Sequence, residues 1–429
     1  MTPPLEPRDA PRDAPRAARR QRRDAADRWL GRLGAAAVAL ALGLLGAMLA
    51  AIVAASLPAF TQTTVRVAFE IDPALVDPAD VAAGDFRAVV LRGAGALFPG
   101  ASPAEARAAA RILTPAAPRL LRATVIADPG LVGQRLVLAI PAADPYDQLA
   151  RGRVDRGAPE DARRLGDAEI ARFDRLAADG LVAKRLAIGL LANPDSRFPE
   201  MAGLAGALAG SAMALAVCLG LVLPVGLATA IFLEEFAPRN RLSAIIEANV
   251  NNLAAVPPIL FGLLGLAVLI AWLGLPRSSP LVAGIVLALM TLPTVVIATR
   301  HALRRVPAEI RDAGFALGAS RHQVLLHHVL PLALPGILTG AIAALAQALG
   351  EAAPLLLIGM NAFITSVPHG VTEAATTLPT QILLWADSPE QGFVARAAAA
   401  IVVLLALLVA LNALAVVLRH RAERRTPAH

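Results

Sequence analysis

Long apolar stretches constrain this chain more than any other feature of its sequence. A helix needs about 20 residues to cross ~30 Å of hydrocarbon, and six stretches suit that length, the fifth of them carrying one acid, Glu351. They are 33–57, 201–232, 248–275, 281–299, 336–359 and 397–418. The chain is 56% hydrophobic and 17% charged, which is far from the balance of a soluble domain. We therefore predict an all-α polytopic membrane protein with six transmembrane helices.

The composition argues against two other classes of protein. A formal net charge of +7 would suit a nucleic-acid partner, but aromatic residues make up only 4% and the arginines cluster beside apolar runs. We therefore predict no nucleic acid as a partner. The one cysteine, Cys218, lies in an apolar run, so a disulfide framework or a cysteine-based metal site within the chain is excluded. We predict no metal, no cofactor and no catalytic residue, so the chain is not an enzyme.

The positions of the arginines predict the orientation in the membrane. The first apolar run is longer than the ~7–15 residues of a cleaved signal, which favours an uncleaved first transmembrane helix, 33–60. With six spans, the basic segments 1–32, 238–241, 300–321 and 419–429 all fall on one side. The positive-inside rule assigns that side to the cytoplasm. Both termini are therefore predicted to be cytoplasmic.

A polar segment, 61–200, separates the first span from the second and would lie outside the cytoplasm. Apolar residues alternate in 65–69 and 136–140, which predicts two half-buried strands, and helical spacing appears in 103–112 and 167–181. A small α+β insert domain is favoured over disorder. Its carboxylates are scattered, and nothing in it indicates a catalytic site.

The sequence also bears on what could drive such a membrane protein, and it leaves ion-coupled transport as a poorly supported alternative. A phosphate-cradling loop ends in Gly-Lys-Ser/Thr, but the only lysine, Lys184, lies between Ala183 and Arg185. Ion-coupled transport would favour several intramembrane acids or histidines, and only Glu351 qualifies. Nucleotide hydrolysis, if the chain depends on it, belongs to a partner.

The segment 307–335 is too apolar for an idle linker and too charged to span a membrane. Helical apolar positions are interrupted by Gly314 and Gly318, and we expect Pro331 to end the second of two short helices. Such a pair suits docking into a groove on another protein. An interfacial helix lying on the membrane is an equal alternative on this evidence.

This segment resembles the EAA loop of ABC importer permeases. DAGFALG at 312–318 is followed after nine residues by HVLP at 328–331, and the spacing of the family motif matches throughout. Three positions depart from the motif, at Asp312, Gly314 and His328. In that family the loop is the coupling helix that seats on the ATPase subunit. The resemblance therefore implies an ATPase-coupling role for Asp312, Ala313, Gly314, Gly318, Leu330 and Pro331.

Longer stretches resemble the PstA family of phosphate permeases. They are SRFPEMAG with GALAGS in 196–211, FLEEFAPRN at 232–240, NVNNLAAVPPILFGLLGL at 249–266, ALGEAAPLLLIG at 348–359 and TLPTQIL at 377–383. The resemblance runs over 195–420, and the insert is similar to that of one branch of the family.

The resemblance implies a type I ABC importer permease fold with a permease core at 201–418. It implies import of inorganic phosphate through the bacterial inner (plasma) membrane. The implied partners are a second homologous permease of the PstC type, a dimeric ATPase of the PstB type that binds the ATP, and a periplasmic phosphate-binding protein of the PstS type.

Three residues are candidates for the pathway or its gating: Gln347, Glu351 and Pro354. Members of this family usually carry arginine where Gln347 stands, and glutamine supplies only neutral hydrogen bonds, so a charged anion site is not implied here. For Glu351, a structural ion pair and a gating role remain open. At the end of the second span, we favour a solvated helix end for Glu234 and Glu235 over contacts near the ATPase.

Two alternative functions remain. Permeases of other oxyanion importers, for sulfate, molybdate or phosphonate, are the nearest alternative. A membrane-anchored periplasmic sensor that binds its signal in 61–200 is a more distant one, because it leaves the loop 307–335 unexplained.

Overall fold

The computed structural model describes residues 14–100, 102–238 and 240–425. The predicted basic tails, 1–32 and 419–429, lie partly outside these residues, as does position 239 of the basic turn. The chain divides into two compact units, one ending at Ala54 and the other beginning at Ala55. The described part of the first unit belongs to helix α1 (Ala14–Ser56), whose apolar side chains, such as Leu40 and Leu44, are exposed.

The second unit begins with the insert, a small α+β domain. In the described residues its sheet has three antiparallel strands in the order β2-β1-β3, with Val65 opposite both Ile140 and Val182. The strands are β1 (Thr61–Glu70), β2 (Arg135–Pro141) and β3 (Val182–Leu186). The helices are α2 (Phe86–Gly95), α3 (Pro103–Ala110), α4 (Ala117–Ala127), α5 (Asp144–Ala150), α6 (Asp167–Ala178) and the short α7 (Gly189–Ala192).

Local periodicity explains why the insert folds in this way. Val65, Val67 and Phe69 are fully buried at alternate positions of β1, since successive side chains of a strand point to opposite faces. Helix α6 buries Ile170, Phe173 and Leu176 in the same core. The predicted strands and helices of the insert are confirmed.

The rest of the second unit is helical. In the described part of the chain, including α1, five helices are long and apolar enough to cross a membrane. The number is six if one bent pair of helices counts as a single span. After the insert come α8 (Ala205–Ile231), α9 (Arg241–Ala254), α10 (Pro258–Leu264), α11 (Pro280–Arg304), α12 (Ala308–Ala316), α13 (Arg321–Val324), α14 (Leu330–Gly350), α15 (Ala353–Leu357), α16 (Leu378–Ala386) and α17 (Gln391–Arg425). Helix α11 packs against both α8 and α14. Its buried Val286 and Leu287 lie in the core of this bundle.

The predicted third span, 248–275, is not a straight helix. Helix α9 ends at Ala254, and α10, which continues as a π-helix to Trp272, begins at Pro258 after a bend of 104°. Pro257 and Pro258 explain the break, because proline has no N–H to donate and disfavours helical geometry in the residue before it.

The prediction of one continuous helix over the fifth apolar run, 336–359, is wrong. Helix α14 ends at Gly350, and Glu351 adopts an extended backbone with ψ of 122°. Pro354 stands in the first turn of the next helix, α15, where proline is favoured because that turn needs no N–H partner. Glu351 therefore lies in a break between two helices.

The expectation that Pro331 ends a helix is also wrong. Helix α13 continues through a π-helical turn, Leu325–Val329, into α14, and Pro331 lies in the first turn of α14. In a regular helix the proline ring clashes with the carbonyl four residues earlier. A π-helical turn at that place alters the ladder of hydrogen bonds, so the helix passes the proline.

Candidate functional site

The segment 307–335 folds as two helices joined by a tight turn. Helix α12 ends before Gly318, whose φ of +78° lies in the left-handed region, and glycine is the residue that adopts this conformation without strain. Ser320 then caps α13, with Gln323 completing a capping box. In the described residues, a Cβ at Gly318 would meet no atom within 4 Å. Gly318 is therefore required by the turn rather than by close packing within the chain.

Close packing occurs instead at Gly314. A Cβ there would lie 2.8 Å from Cγ2 of the buried Val324, which is closer than real Cβ contacts allow. Val324 and Leu325 belong to a core that also contains Leu303 of α11 and Ile337 of α14. The inner face of the loop is thus packed onto the bundle.

Within the described residues, the outer face of the loop has no covering partner. Phe315, Leu317 and Leu326 are 45%, 88% and 55% exposed. Asp312 and Ala313 of the motif are exposed beside them. Exposed large apolar side chains clustered on one face are a feature of protein docking surfaces. We refer to Asp312, Ala313, Phe315, Leu317 and Leu326 as the outer face.

Arg311 attaches α12 to the ends of two long helices. Its guanidinium lies 2.9 Å from Oε1 of Glu235, at the end of α8, and donates to the carbonyls of Leu303 and Val306 at 3.0 and 2.7 Å. Both charged side chains are about one-fifth exposed, at 21% and 18%. A guanidinium in this position has a carboxylate and two carbonyls as acceptors, so its planar fork orients α12 more firmly than a single ion pair.

A second group of ion pairs lies next to Arg311. Glu234 accepts from Arg300 at 3.3 Å and from Arg304 at 2.9 Å, and Arg300 also pairs with Glu247 of α9 at 2.9 Å. The side chain of Glu234 is 18% exposed and that of Arg300 is 10% exposed. The interpretation of Glu234 and Glu235 as a solvated helix end is therefore wrong. Together with Arg311, these residues form a charged cluster that joins α8, α9, α11 and α12.

The sequence contained only part of the information needed to find this cluster. Glu234 and Glu235 lie 66 to 76 residues from their arginines, and nothing in the local spacing pairs them. The accumulation of arginines at 300–311 was visible and predicted the side of the membrane, but not which carboxylates meet them.

The candidate pathway residues lie apart from the charged cluster. Gln347 is exposed on α14, and its Oε1 accepts from the hydroxyl of Thr294 on α11 at 3.4 Å. Glu351 is half-buried in the helix break and forms no ion pair in the described part of the chain. Pro354 is buried, and its carbonyl oxygen lies 2.6 Å from where a Cβ on Gly262 would be. The structure thus brings Gln347 to the interface of α11 with α14 and packs Pro354 against α10.

A third charged region, which sequence analysis missed, joins the insert to the bundle. Arg396 of α17 is 5% exposed and donates to the carbonyl of Ala202. Asp144 is 7% exposed beside Gly392, at the beginning of α17. Burial raises the pKa of the Glu200 carboxyl, and the charge of Asp144 raises it further, whereas a hydrogen bond from Thr114 and the charge of Arg396 lower it. Asp144, Glu200, Gly392 and Arg396 line one small cavity.

Metal binding finds no support at these places. Within the described ranges, no group of three or more His, Cys, Asp or Glu side chains is arranged to hold a metal ion.

Two family models match the chain. Residues 222–425 match the "Binding-protein-dependent transport system inner membrane component", and residues 17–160 match a domain of unknown function, DUF3333. The second match covers most of the insert.

Curated relatives agree with the first model. The chain is 35% identical to "Phosphate transport system permease protein PstA 1" of Mycobacterium tuberculosis (strain CDC 1551 / Oshkosh), over 52% of this chain and 72% of the relative. It is 30% identical to "Phosphate transport system permease protein PstA" of Xylella fastidiosa (strain Temecula1), over 52% of this chain and 77% of the relative. Among solved structures, the inward-facing MetNI methionine ABC transporter matches 51% of this chain and 94% of its own, at 19% identity and a TM-score of 0.40.

Proposed function

Because this chain belongs to the PstA family of ABC transporter permeases, we propose that it forms half of the translocation pathway of an ATP-driven importer of inorganic phosphate. The other half is a homologous permease of the PstC type. A dimeric ATPase of the PstB type drives transport from the cytoplasm, and a periplasmic binding protein of the PstS type delivers phosphate. The chain itself contributes a pathway and a mechanical link, and performs no chemistry.

One observation carries the proposal: the segment 307–335 has a packed inner face and a free outer face, and Arg311 attaches it to the bundle. The apolar side chains of the outer face suit a groove on the ATPase. Arg311 then connects a movement of α12 to the ends of α8 and α11. A membrane-surface helix is less consistent with this arrangement, since Asp312 lies among the exposed apolar residues.

Helix α11 extends this link to the candidate pathway. It carries Arg300 in the charged cluster and Thr294, which contacts Gln347, and six residues of a helix span about 9 Å. A displacement of the cytoplasmic end of α11 would therefore reach the contact with α14 through a single rigid element. The neutral amide of Gln347 offers hydrogen bonds to a phosphate oxygen without a fixed charge.

The experiment that tests coupling compares Gly318→Leu with Gly318→Asn. Asparagine adopts positive φ more readily than other residues with a side chain, so Gly318→Asn should keep the turn, the co-purification of the ATPase and much of the uptake. Gly318→Leu strains the turn and places a bulky side chain beside the outer face. It should abolish radiolabelled phosphate uptake while the protein remains in the membrane. Wild-type uptake and ATPase co-purification in Gly318→Leu would contradict a coupling role.

The transported solute is tested by competition. Uptake of radiolabelled phosphate by cells that express the chain with its partner subunits should be unaffected by excess sulfate, molybdate or phosphonate. Uptake of one of these in preference to phosphate would identify the permease of another oxyanion importer.

A further inference from the structure

Exposed apolar side chains of the insert, and one just before it in the chain, lie next to the ends of two candidate membrane spans. Leu186, Ile188 and Leu191 are 74%, 76% and 51% exposed, and Leu57 is 61% exposed. We refer to these four residues as the rim patch. Single exposed apolar side chains need no explanation. Three exposed aliphatic side chains within six residues, where a soluble domain joins membrane helices, do need one.

Backbone hydrogen bonds hold the rim patch at the ends of the spans. The N–H of Ala187 donates to the carbonyl of Phe60 at 2.9 Å, and Phe60 is the last residue of the first candidate span. The N–H of Leu204 donates to the carbonyl of Leu190 at 2.7 Å, one residue before the second candidate span begins at Ala205. The segment 186–191 is therefore attached to the end of one span and the beginning of the next.

Burial separates this segment into two faces. Leu190 is 1% exposed and belongs to a core with Ala207 of α8 and Ala399 of α17. Leu186, Ile188 and Leu191 point away from that core into the surroundings. Since Leu190 packs against Ala207 in the first turn of α8, its exposed neighbours lie next to the beginning of that candidate span.

A basic residue completes the pattern. Lys184, the only lysine in the chain, is exposed on β3. Side chains two apart on a strand share a face, so Lys184 stands on the same face as Leu186. A lysine beside exposed aliphatic residues suits a lipid surface, because its stem lies along the apolar layer while its ammonium reaches the phosphates.

We propose that the rim patch inserts into the adjoining lipid leaflet, with Lys184 on lipid phosphates, and so fixes the insert against the membrane surface. This inference goes beyond phosphate transport and does not depend on it, since it rests on the position of the patch beside the spans. The occupant is lipid, and coverage by another protein subunit is the competing outcome.

Spin labelling of the full-length chain, with the subunits that co-purify with it, tests the proposal. Leu186→Cys and Ile188→Cys are each labelled and reconstituted in vesicles of phosphatidylethanolamine and phosphatidylglycerol. The collision rates of the label with oxygen and with a water-soluble nickel chelate are then measured. Val137→Cys is the matched control, since Val137 is apolar, 60% exposed and on β2, the opposite edge of the sheet.

We expect the ratio of oxygen to nickel collisions to be several-fold higher at 186 and 188 than at 137, because oxygen concentrates in hydrocarbon and the chelate in water. A ratio equal to that of the control would place the patch in water and overturn the proposal. Protection from both reagents would show that protein covers the patch and would overturn it as well.

The role of Lys184 is tested in the same samples. Lys184→Gln should lower the ratio at position 188 in vesicles that contain phosphatidylglycerol, whose phosphate gives the lipid a net negative charge. The ratio should change much less in vesicles of phosphatidylcholine alone, since each of its phosphates is paired with the choline of the same lipid. An unchanged ratio in both kinds of vesicle would exclude a contact of Lys184 with lipid phosphates. The phosphate-uptake assay is independent of these measurements, so failure of either proposal is recognised separately.

Discussion

At the scale of single residues, Arg311 has the most specific environment in the loop. Its guanidinium donates hydrogen bonds to one carboxylate and two backbone carbonyls at the point where α12 meets the bundle. The neighbouring Asp312, which stands where the motif that this loop resembles has glutamate, is exposed. The motif residue thus faces outward, while the residue before it attaches the loop.

We predict that Arg311→Gln destabilises the protein and uncouples ATP hydrolysis from transport. The change leaves Glu235 and two carbonyls without their charged donor, and an unsatisfied buried polar group costs about 1–3 kcal/mol. Thermal unfolding of the purified chain measures the loss, and the ratio of ATP hydrolysed to phosphate imported measures the coupling.

Arg321→Gln is the matched control for this prediction. Arg321 is exposed in the same loop and has no ion-pair partner among the residues that the structure describes, so both measurements should stay near wild type. Equal effects of the two substitutions would show that only the overall charge of the loop matters.

At the scale of elements, the carboxyl of Glu200 lines the cavity where the insert meets α17. Burial raises the pKa of Glu200 above its ordinary value of 4.5, so the folded protein holds this proton to higher pH than the unfolded chain does. The stability from this group is fully present below pH 4.5 and is lost as the pH rises through the raised value.

We therefore predict that the thermal stability of the wild-type chain, relative to that of Glu200→Gln, falls as the pH rises above 4.5. The glutamine keeps the shape of the side chain but carries no charge to bury. Thermal unfolding of the full-length chain over this range, with and without the substitution, is the measurement.

Asp174→Asn provides the comparison. A hydrogen bond from Arg156 lowers the pKa of Asp174 below 3.8, so the contribution of Asp174 to stability changes only at lower pH. The dependence of stability on pH above 4.5 should therefore be the same in Asp174→Asn as in the wild-type chain. If thermal stability depends on pH in the same way in Glu200→Gln as in the wild-type chain, another group causes the pH dependence.

At the scale of the whole molecule, the predicted orientation places the insert outside and the loop 307–335 inside. Asp155 and Ser320 are both exposed, one in each region. In intact cells whose outer membrane has been made permeable, an impermeant maleimide should label Asp155→Cys and leave Ser320→Cys unlabelled. Labelling of Ser320→Cys under these conditions would reverse the orientation. The unsubstituted chain serves as the control, because Cys218 is 1% exposed.

Local patterns of the sequence determined the elements of this protein. The length of the apolar runs predicted membrane helices, and the alternation in β1 predicted the sheet of the insert, since both depend on near neighbours in the chain. The helical spacing of apolar residues in 307–335 likewise predicted the two helices α12 and α13.

Only the tertiary structure decided which charges meet and how the helices are interrupted. Glu234 pairs with Arg300 and Arg304 across about 70 residues because α8 packs against α11, and no local period encodes that contact. The 104° bend after α9 and the break that holds Glu351 depend on prolines, which predict an interruption but not its angle or what it packs against. The membrane helices are therefore a property of local hydrophobicity, whereas the contacts of Arg311 with Glu235 and with the end of α11 are a property of the packed bundle.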